Sequence, residues 1–301
     1  MMNLDFPQTF KELDKREEFS DVFYTVDNVK AKSKINLQII GPFLFFFESK
    51  SLEPLFMIFI EHFQAGKVSN SSAPAVTMRS SYEDHIYYLY FKTSEHVNTF
   101  LISYYTNMAL SSNFFSNIQC DQIDVADMLF GYFSNHNSIL KSNCVLLRKS
   151  NSAYFFQAHG FDKNNIFTCL FDFQFDKFSF VTPLLSAPTV FSQKNIPTVN
   201  YFMLCDVHNP KLFSIFQCSS LSQCVKWILS IHAWFKVFLR SQSAISPIKT
   251  SAISLPKTSD IKIKKSADHT PQNDKNNIGL FEVKPHQNKN LSKIAESENL
   301  F

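Results

Sequence analysis

Residues 35–49 read INLQIIGPFLFFFES, and this stretch decides the fold class. Ile35–Ile40 largely alternates apolar with polar side chains, the period of two that is typical of a half-buried strand. Gly41-Pro42 is a turn signal, and Phe43–Ser49 follows it as a second apolar run of strand length. The stretch therefore predicts two strands that are joined by a tight turn.

Further strand-like runs lie on both sides of this hairpin. They are Asp21–Asn28, Leu55–Phe63, Ala75–Ser80 and Ile86–Lys92. From Ser94 onward the period changes, because apolar side chains then recur every three or four residues. The first part of the chain thus predicts several strands that are followed by one amphipathic helix.

The same pattern of strands and a closing helix then starts again. The second set of predicted strands is Cys144–Arg148, Ala153–Ala158, Ile166–Phe175, Phe178–Leu185, Thr189–Ser192, Tyr201–Val207 and Leu212–Cys218. A final helix is predicted from Ser220 to Arg240, and a short helix over Asp121–Phe133 is predicted between the two sets.

These patterns divide the chain into five segments. We expect an N-terminal extension over 1–19, a first domain over 20–112, a linker with a short helix over 113–139, a second domain over 140–240 and a tail over 241–301. The tail is rich in Ser, Lys, Asn and Pro, so we expect it to be disordered.

Composition and charge exclude several classes of function. Of 301 residues, 45% are hydrophobic and only 5 are Gly, and these five are scattered, which argues against full disorder and against Gly-rich phosphate loops. The first 240 residues carry 20 basic and 20 acidic side chains, whereas residues 241–301 carry 9 Lys and 6 acidic side chains. A neutral body argues against a nucleic-acid-binding domain, which normally has a basic face.

The sequence contains no motif for catalysis, metal binding or export. Its 6 Cys form no CxxC pair, and neither HExxH nor GxSxG occurs. The first 20 residues have no apolar signal-peptide core, and no apolar run reaches the roughly 18–20 residues that span a bilayer. We therefore expect a non-enzymatic cytoplasmic protein without metal, cofactor or transmembrane segment.

The doubled pattern of strands and a terminal helix resembles tandem pleckstrin-homology (PH) domains. The turn at Gly41-Pro42 is similar to the one between PH strands two and three, and Tyr201–Cys218 with the following helix is similar to the end of the domain. Trp227 stands where the family commonly has a helix Trp, and Phe100 takes that place in the first unit. The resemblance implies a mainly β fold: two seven-stranded bent barrels, each capped by a C-terminal amphipathic helix. Related barrels that bind peptides would give much the same pattern.

The resemblance also implies a candidate binding site. In PH domains, basic residues around the loop between strands one and two hold inositol phosphates. Lys30, Lys32 and Lys34 lie in that place here, and three alternating Lys can aim point charges along one edge of the loop. The following strand departs from the family pattern, because it carries amides where phosphoinositide binders usually have Arg.

A secondary basic loop is expected in the second unit. Lys141, Arg148 and Lys149 lie at its opening strand and loop, but Tyr154–Gln157 has no basic residue where the family motif would place one. Contact with a protein therefore fits this unit better than recognition of a particular phosphoinositide.

Together these observations predict an intracellular adaptor that is recruited to anionic, phosphoinositide-containing membrane and to an unidentified protein partner, and that binds no nucleic acid. It would be cytoplasmic and peripheral at the inner membrane surface. Two alternatives stay open. One is a protein–protein interaction scaffold without lipid binding, and the other is a regulatory component of a signalling GTPase or kinase system.

Overall fold

The computed structural model describes residues 2, 4–27, 32–69, 71–80, 82, 84–119, 126–127, 131–135, 138–150, 153–185, 197–206 and 214–245. Met1–Ile248 forms one compact unit. The fold is mainly β, with two antiparallel sheets that are each followed by a long helix. The predicted tail lies outside the described residues except for 241–245, which end the second helix.

Seven strands form the first sheet. They are β1 (Arg16–Val26), β2 (Ser33–Ile40), β3 (Phe43–Glu48), β4 (Pro54–Phe59), β5 (Phe63–Lys67), β6 (Ala75–Ser80) and β7 (Ile86–Tyr90). Their order is β4-β3-β2-β1-β7-β6-β5, so β4 and β5 lie at opposite ends and do not pair. The sheet is therefore open, and a closed barrel is not confirmed. Helix α1 (Ser94–Asn117) follows β7.

The hairpin predicted from residues 35–49 is confirmed, because β2 and β3 pair in the register that places Ile40 opposite Phe43. The long run predicted over Leu55–Phe63 is instead divided. Strand β4 ends at Phe59, which pairs with the first residue of β3, and a 3-10 turn over Ile60–His62 follows. Since β3 offers no further partner there, the chain turns away and β5 pairs with β6.

Eight strands form the second sheet. They are β8 (Ala126–Asp127), β9 (Gly131–Asn135), β10 (Ser138–Ser150), β11 (Ala153–Phe161), β12 (Phe167–Gln174), β13 (Ser179–Pro183), β14 (Tyr201–Asp206) and β15 (Ser214–Gln217). The main path runs β12-β11-β10-β9-β15-β14-β13, and β8 pairs with β10. This is the strand order of the first sheet repeated, and helix α2 (Leu221–Ile245) again follows the last strand.

In the second sheet, one predicted helix is partly replaced by a strand and one predicted strand cannot be compared with the structure. Strand β9 occupies the end of the segment Asp121–Phe133 that was predicted as a helix, because pairing with both β10 and β15 outweighs the local helical pattern. The predicted strand Thr189–Ser192 lies outside the described residues. The division into domains at residues 112, 140 and 240 stays a prediction.

Strand β3 is buried on both of its faces. Leu44 and Phe46 belong to the core of the first half, which we define as β1–β7 with α1. Phe43, Phe45 and Phe47 belong to a second core that also holds the inner side chains of the second half, β8–β15 with α2. Successive side chains of a strand point to opposite faces, so this one run of Phe contributes to two cores.

The two helices pack against the sheets that precede them. Phe100 of α1 is fully buried and lies 5.3 Å from Phe19 and 5.2 Å from Phe91, measured between ring centroids. Trp227 of α2 is buried as well, and its ring meets that of Phe156 on β11 at 5.9 Å in an edge-on arrangement.

Helix α2 also joins the second half to the first. In the turn after β4, Glu61 Oε2 lies 3.2 Å from Nε2 of His232 and 3.0 Å from Nζ of Lys236, both on α2. Arg240 donates to the carbonyls of Ser116 and Ile118 and so satisfies acceptors at the end of α1. We call Glu61, His62, His232 and Lys236 the buried joint.

Burial and charge shift the pKa values in the buried joint. Burial alone would raise the pKa of Glu61, but His232 and Lys236 lower it to about 2. Burial lowers the pKa of His62 to about 3 and also lowers the pKa of His232. His62 is therefore neutral in the folded protein at pH 7, and its Nδ1 has no hydrogen-bond partner among the described residues.

We predict that Gly41→Ala destabilises the protein by about 2 kcal/mol or more. Gly41 has a φ of 55°, and a Cβ there would lie 2.5 Å from the carbonyl oxygen of Leu13. Gly66→Ala is the matched control, since its Cβ would meet nothing closer than Thr77 Oγ1 at 3.8 Å. Urea unfolding measures both, and equal midpoints for the two variants would contradict the prediction.

We predict that acid weakens the fold partly through His62. An unfolded His takes up a proton below its ordinary pKa of 6.5, whereas the folded state resists protonation down to about 3. Stability is therefore lost as pH falls from 6.5 towards 3, by about 1.4 kcal/mol per pH unit from this one group, and Glu61 adds a loss between 4.5 and 2.

The variant His62→Leu has no imidazole at position 62 and therefore lacks its contribution to the pH dependence of the unfolding free energy. We expect a change of less than about 1.5 kcal/mol at pH 7, because the volumes are similar and a partnerless buried nitrogen is lost. Between pH 6.5 and 5 the unfolding free energy should then fall less steeply than in the wild type. The exposed residue His96, as His96→Leu, serves as the control. An unchanged slope in His62→Leu would refute the prediction.

Candidate functional site

A cavity of about 540 Å³ lies beside the start of β2, the end of β3 and the β3–β4 connection. Two Lys, two Ser, one Tyr, one Glu and two aliphatic side chains line it. They are Lys34, Lys50, Ser33, Ser49, Tyr24, Glu48, Ile35 and Leu55. We call it the basic cavity. A second cavity of about 290 Å³ lies on the other side of the β3–β4 turn and shares Ser49 and Lys50 with it.

Lys34 is the predicted site residue that lines the basic cavity. It stands on β2 opposite Phe23 of β1, and its Nζ lies 2.6 Å from Oδ1 of Asp21. Asp21 sits in a bulge of β1 and has a φ of 58°. The Lys34 ammonium, through its hydrogen bond and its charge, lowers the pKa of the Asp21 carboxyl, with a smaller contribution from Lys92. Lys34, one of the three predicted phosphate-binding cations, is thus already paired with the carboxylate of Asp21.

The three predicted Lys do not form one cluster in the described part of the chain. Lys32 lies over the ring of Tyr90, with Nζ 3.5 Å from the ring centroid, which is a cation–π contact. Lys30 lies outside the described residues. Among the described Lys residues of this region, Lys34 and Lys50 line the basic cavity and Lys32 does not.

Lys50 is a functional candidate that the sequence reasoning missed. The sequence offered a partial signal, because the hairpin turn at Gly41-Pro42 folds the segment before Lys50 back beside the segment that begins near Lys34. The observed register ends with Ile35 opposite Glu48. Only the fold shows that Lys34 and Lys50 line one cavity.

The predicted basic loop of the second half does not converge on one point. Arg148 and Lys149 are successive residues of β10 and therefore point to opposite faces. Nζ of Lys149 lies 5.2 Å from the ring centroid of Tyr154. The side chain of Lys141 lies outside the described part of the structure.

The described residues contain no group of three or more His, Cys, Asp or Glu side chains that could hold a metal ion. None of the helices in this part of the chain is long and apolar enough to cross a membrane. Comparison of the chain with protein-family models and with curated proteins finds no match.

Proposed function

We propose that the protein is a non-enzymatic adaptor whose two halves are PH-like units, and that the first half recruits it to anionic, phosphoinositide-containing membrane. The repeated strand order with a helix after each sheet supports the PH-like assignment. The basic cavity is the single observation that carries the proposed recruitment. The second half would supply the contact with a protein partner.

The chemistry of the basic cavity suits phosphate groups. Lys34 and Lys50 are compact, strongly hydrated cations, and such point charges bind phosphate without a fixed geometry. The hydroxyls of Ser33, Ser49 and Tyr24 can donate further hydrogen bonds to phosphate oxygens. A ligand that carries several phosphates on one ring would use both kinds of group at once.

Acidic side chains limit the affinity that this cavity can reach. Asp21 pairs with Lys34, and Glu48 lines the cavity wall. An incoming phosphate must displace or outcompete the carboxylate of Asp21 before Lys34 can pair with it. We therefore expect weak binding to isolated phosphate and stronger binding to ligands of higher charge density.

A protein–protein scaffold without lipid binding is the second candidate. The observation that favours it is that Lys32 and Lys34 both have partners within the protein, Tyr90 and Asp21. Less positive charge is then available for a membrane than the sequence suggested. Under this alternative, the chain would bind vesicles with and without phosphoinositide equally poorly.

We predict that Lys34→Ala/Lys50→Ala weakens binding to phosphoinositide-containing vesicles at least about tenfold, since each Lys near an anionic surface is worth about 1 kcal/mol. Co-sedimentation of the full chain at low salt measures this binding. The vesicles are phosphatidylcholine alone or phosphatidylcholine with about 5% phosphoinositide. Lys15→Ala/Lys67→Ala removes the same charge from exposed positions outside both cavities and should leave binding unchanged.

The same assay on Asp21→Asn tests the role of the internal carboxylate. Asn tolerates the left-handed backbone at this position, so the fold should persist, and release of Lys34 should strengthen binding a few-fold. Two results would count against lipid recruitment: equal losses in the cavity pair and the control pair, or no difference between the two kinds of vesicle. Either would favour the scaffold.

A further inference from the structure

The tip of the β11–β12 hairpin, residues 161–167, exposes three large apolar side chains. Phe161, Ile166 and Phe167 are 49%, 59% and 53% exposed, respectively. Phe161 and Phe167 are opposite each other in the ladder, and their rings meet edge-on with centroids 5.4 Å apart. We call residues 161–167 the hairpin tip. Three exposed apolar side chains at one tip make it a candidate contact surface.

Local hydrogen bonds hold the turn of the hairpin tip in one conformation. The Asp162 carboxylate accepts from the backbone N–H groups of Asn164 at 2.8 Å and Ile166 at 2.9 Å. The Asp162 N–H donates to the Ile166 carbonyl at 3.0 Å, and Asn165 adopts a φ of 60°. The apolar side chains are therefore presented on an ordered support, which lowers the entropy lost when they bind.

Charge and area indicate what the hairpin tip would meet. Asp162 is half-buried and accepts hydrogen bonds within the turn, whereas Lys163 at the apex is exposed, so the tip offers a cation to an anionic surface. The three apolar side chains expose on the order of 300 Å², about half of their total area. A stable protein interface needs about 800 Å² on each partner. A small convex tip fits a bilayer surface better than a second protein or a second copy.

The equivalent hairpin of the first sheet also exposes an aliphatic side chain near a Lys. In the repeated strand order β3–β4 takes the place of β11–β12. Its connection carries Leu52, which is 83% exposed, two residues after Lys50 of the basic cavity. The same connection in both halves thus combines an exposed aliphatic side chain with an exposed Lys.

We propose that the hairpin tip inserts into the interfacial region of an anionic bilayer. Phe161, Ile166 and Phe167 would enter the boundary between headgroups and acyl chains, and Lys163 would stay among the headgroups. This contact rests on the proposal above that the chain is recruited to anionic membrane, but it uses side chains outside the basic cavity and is tested separately from it. It supplies an apolar, salt-resistant attachment beside an electrostatic, salt-sensitive one, and stable peripheral anchoring generally needs two such signals.

The first test compares two variants that each remove two exposed apolar side chains. Ile166→Ser/Phe167→Ser changes the hairpin tip, and Ile102→Ser/Leu110→Ser changes exposed positions of α1. Full-length protein is sedimented with vesicles of phosphatidylcholine and phosphatidylserine at about 0.5 M NaCl, where electrostatic attraction is screened. We expect the tip variant to partition at least about tenfold less than the wild type, and the control to match the wild type. Thermal unfolding midpoints establish that both variants fold.

The second test places a reporter at the tip itself. Trp227 and Trp234 are 2% and 3% exposed, so their emission is already that of buried indoles. In Ile166→Trp the new indole should shift to shorter wavelength on addition of these vesicles and should be quenched by brominated lipids. Emission that stays unshifted and unquenched while the protein sediments with the vesicles would overturn the inference.

Other outcomes separate this inference from the function proposed above. Equal losses in the tip and α1 variants, or sedimentation of neither variant nor wild type, overturn insertion of the tip. A tip that binds a folded protein and leaves vesicle partition unchanged overturns it as well. Suppose that Lys34→Ala/Lys50→Ala binds vesicles as the wild type does while the indole of Ile166→Trp is quenched. Lipid binding by the basic cavity is then refuted, and insertion of the hairpin tip is supported.

Discussion

Strand β3 is buried on both of its faces and therefore takes part in both cores of the protein. Leu44 and Phe46 belong to the core of the first half. Phe43, Phe45 and Phe47 belong to the core that also contains the inner side chains of the second half and the N-terminal side chains Leu4, Phe6, Phe10 and Leu13. Burying one such side chain is worth roughly 1.5–3 kcal/mol, so the three Phe side chains contribute several kcal/mol to the stability of this shared core. Exposed to water, the same three rings would form a large apolar patch.

This arrangement decides which surfaces remain for function. Strand β4 contacts β13 and the turn before β14, and the buried joint adds ionic and aromatic contacts where α2 meets the first half. In the repeated strand order β12 takes the place of β4, and its side chains are far more exposed. The basic cavity and the hairpin tip both lie at β3–β4-type connections, which the shared core leaves accessible.

Local pattern was sufficient for the hairpin of residues 35–49, because period-two alternation around a Gly-Pro turn specifies strand, turn and register together. Pairing beyond neighbouring segments was not visible in the sequence. The apolar run over Leu55–Phe63 does not show where its partner strand ends. The helical pattern before residue 133 does not reveal that β9 pairs with two other strands. Alternation placed the Phe residues on two faces but could not identify what covers the second face. For the site, charge spacing suggested Lys30–Lys34, whereas the folded chain places Lys34 and Lys50 at one cavity.

Because the two halves share one core and are joined through β4, α1 and α2, they should unfold as a single cooperative unit. Urea unfolding of the full chain, followed by two probes, measures this cooperativity. Tryptophan emission reports on the second half alone, since both Trp residues lie in α2, and far-UV circular dichroism reports on both sheets. We expect transitions with the same midpoint and slope for both probes. A tryptophan transition that is complete while much of the β signal persists would contradict it.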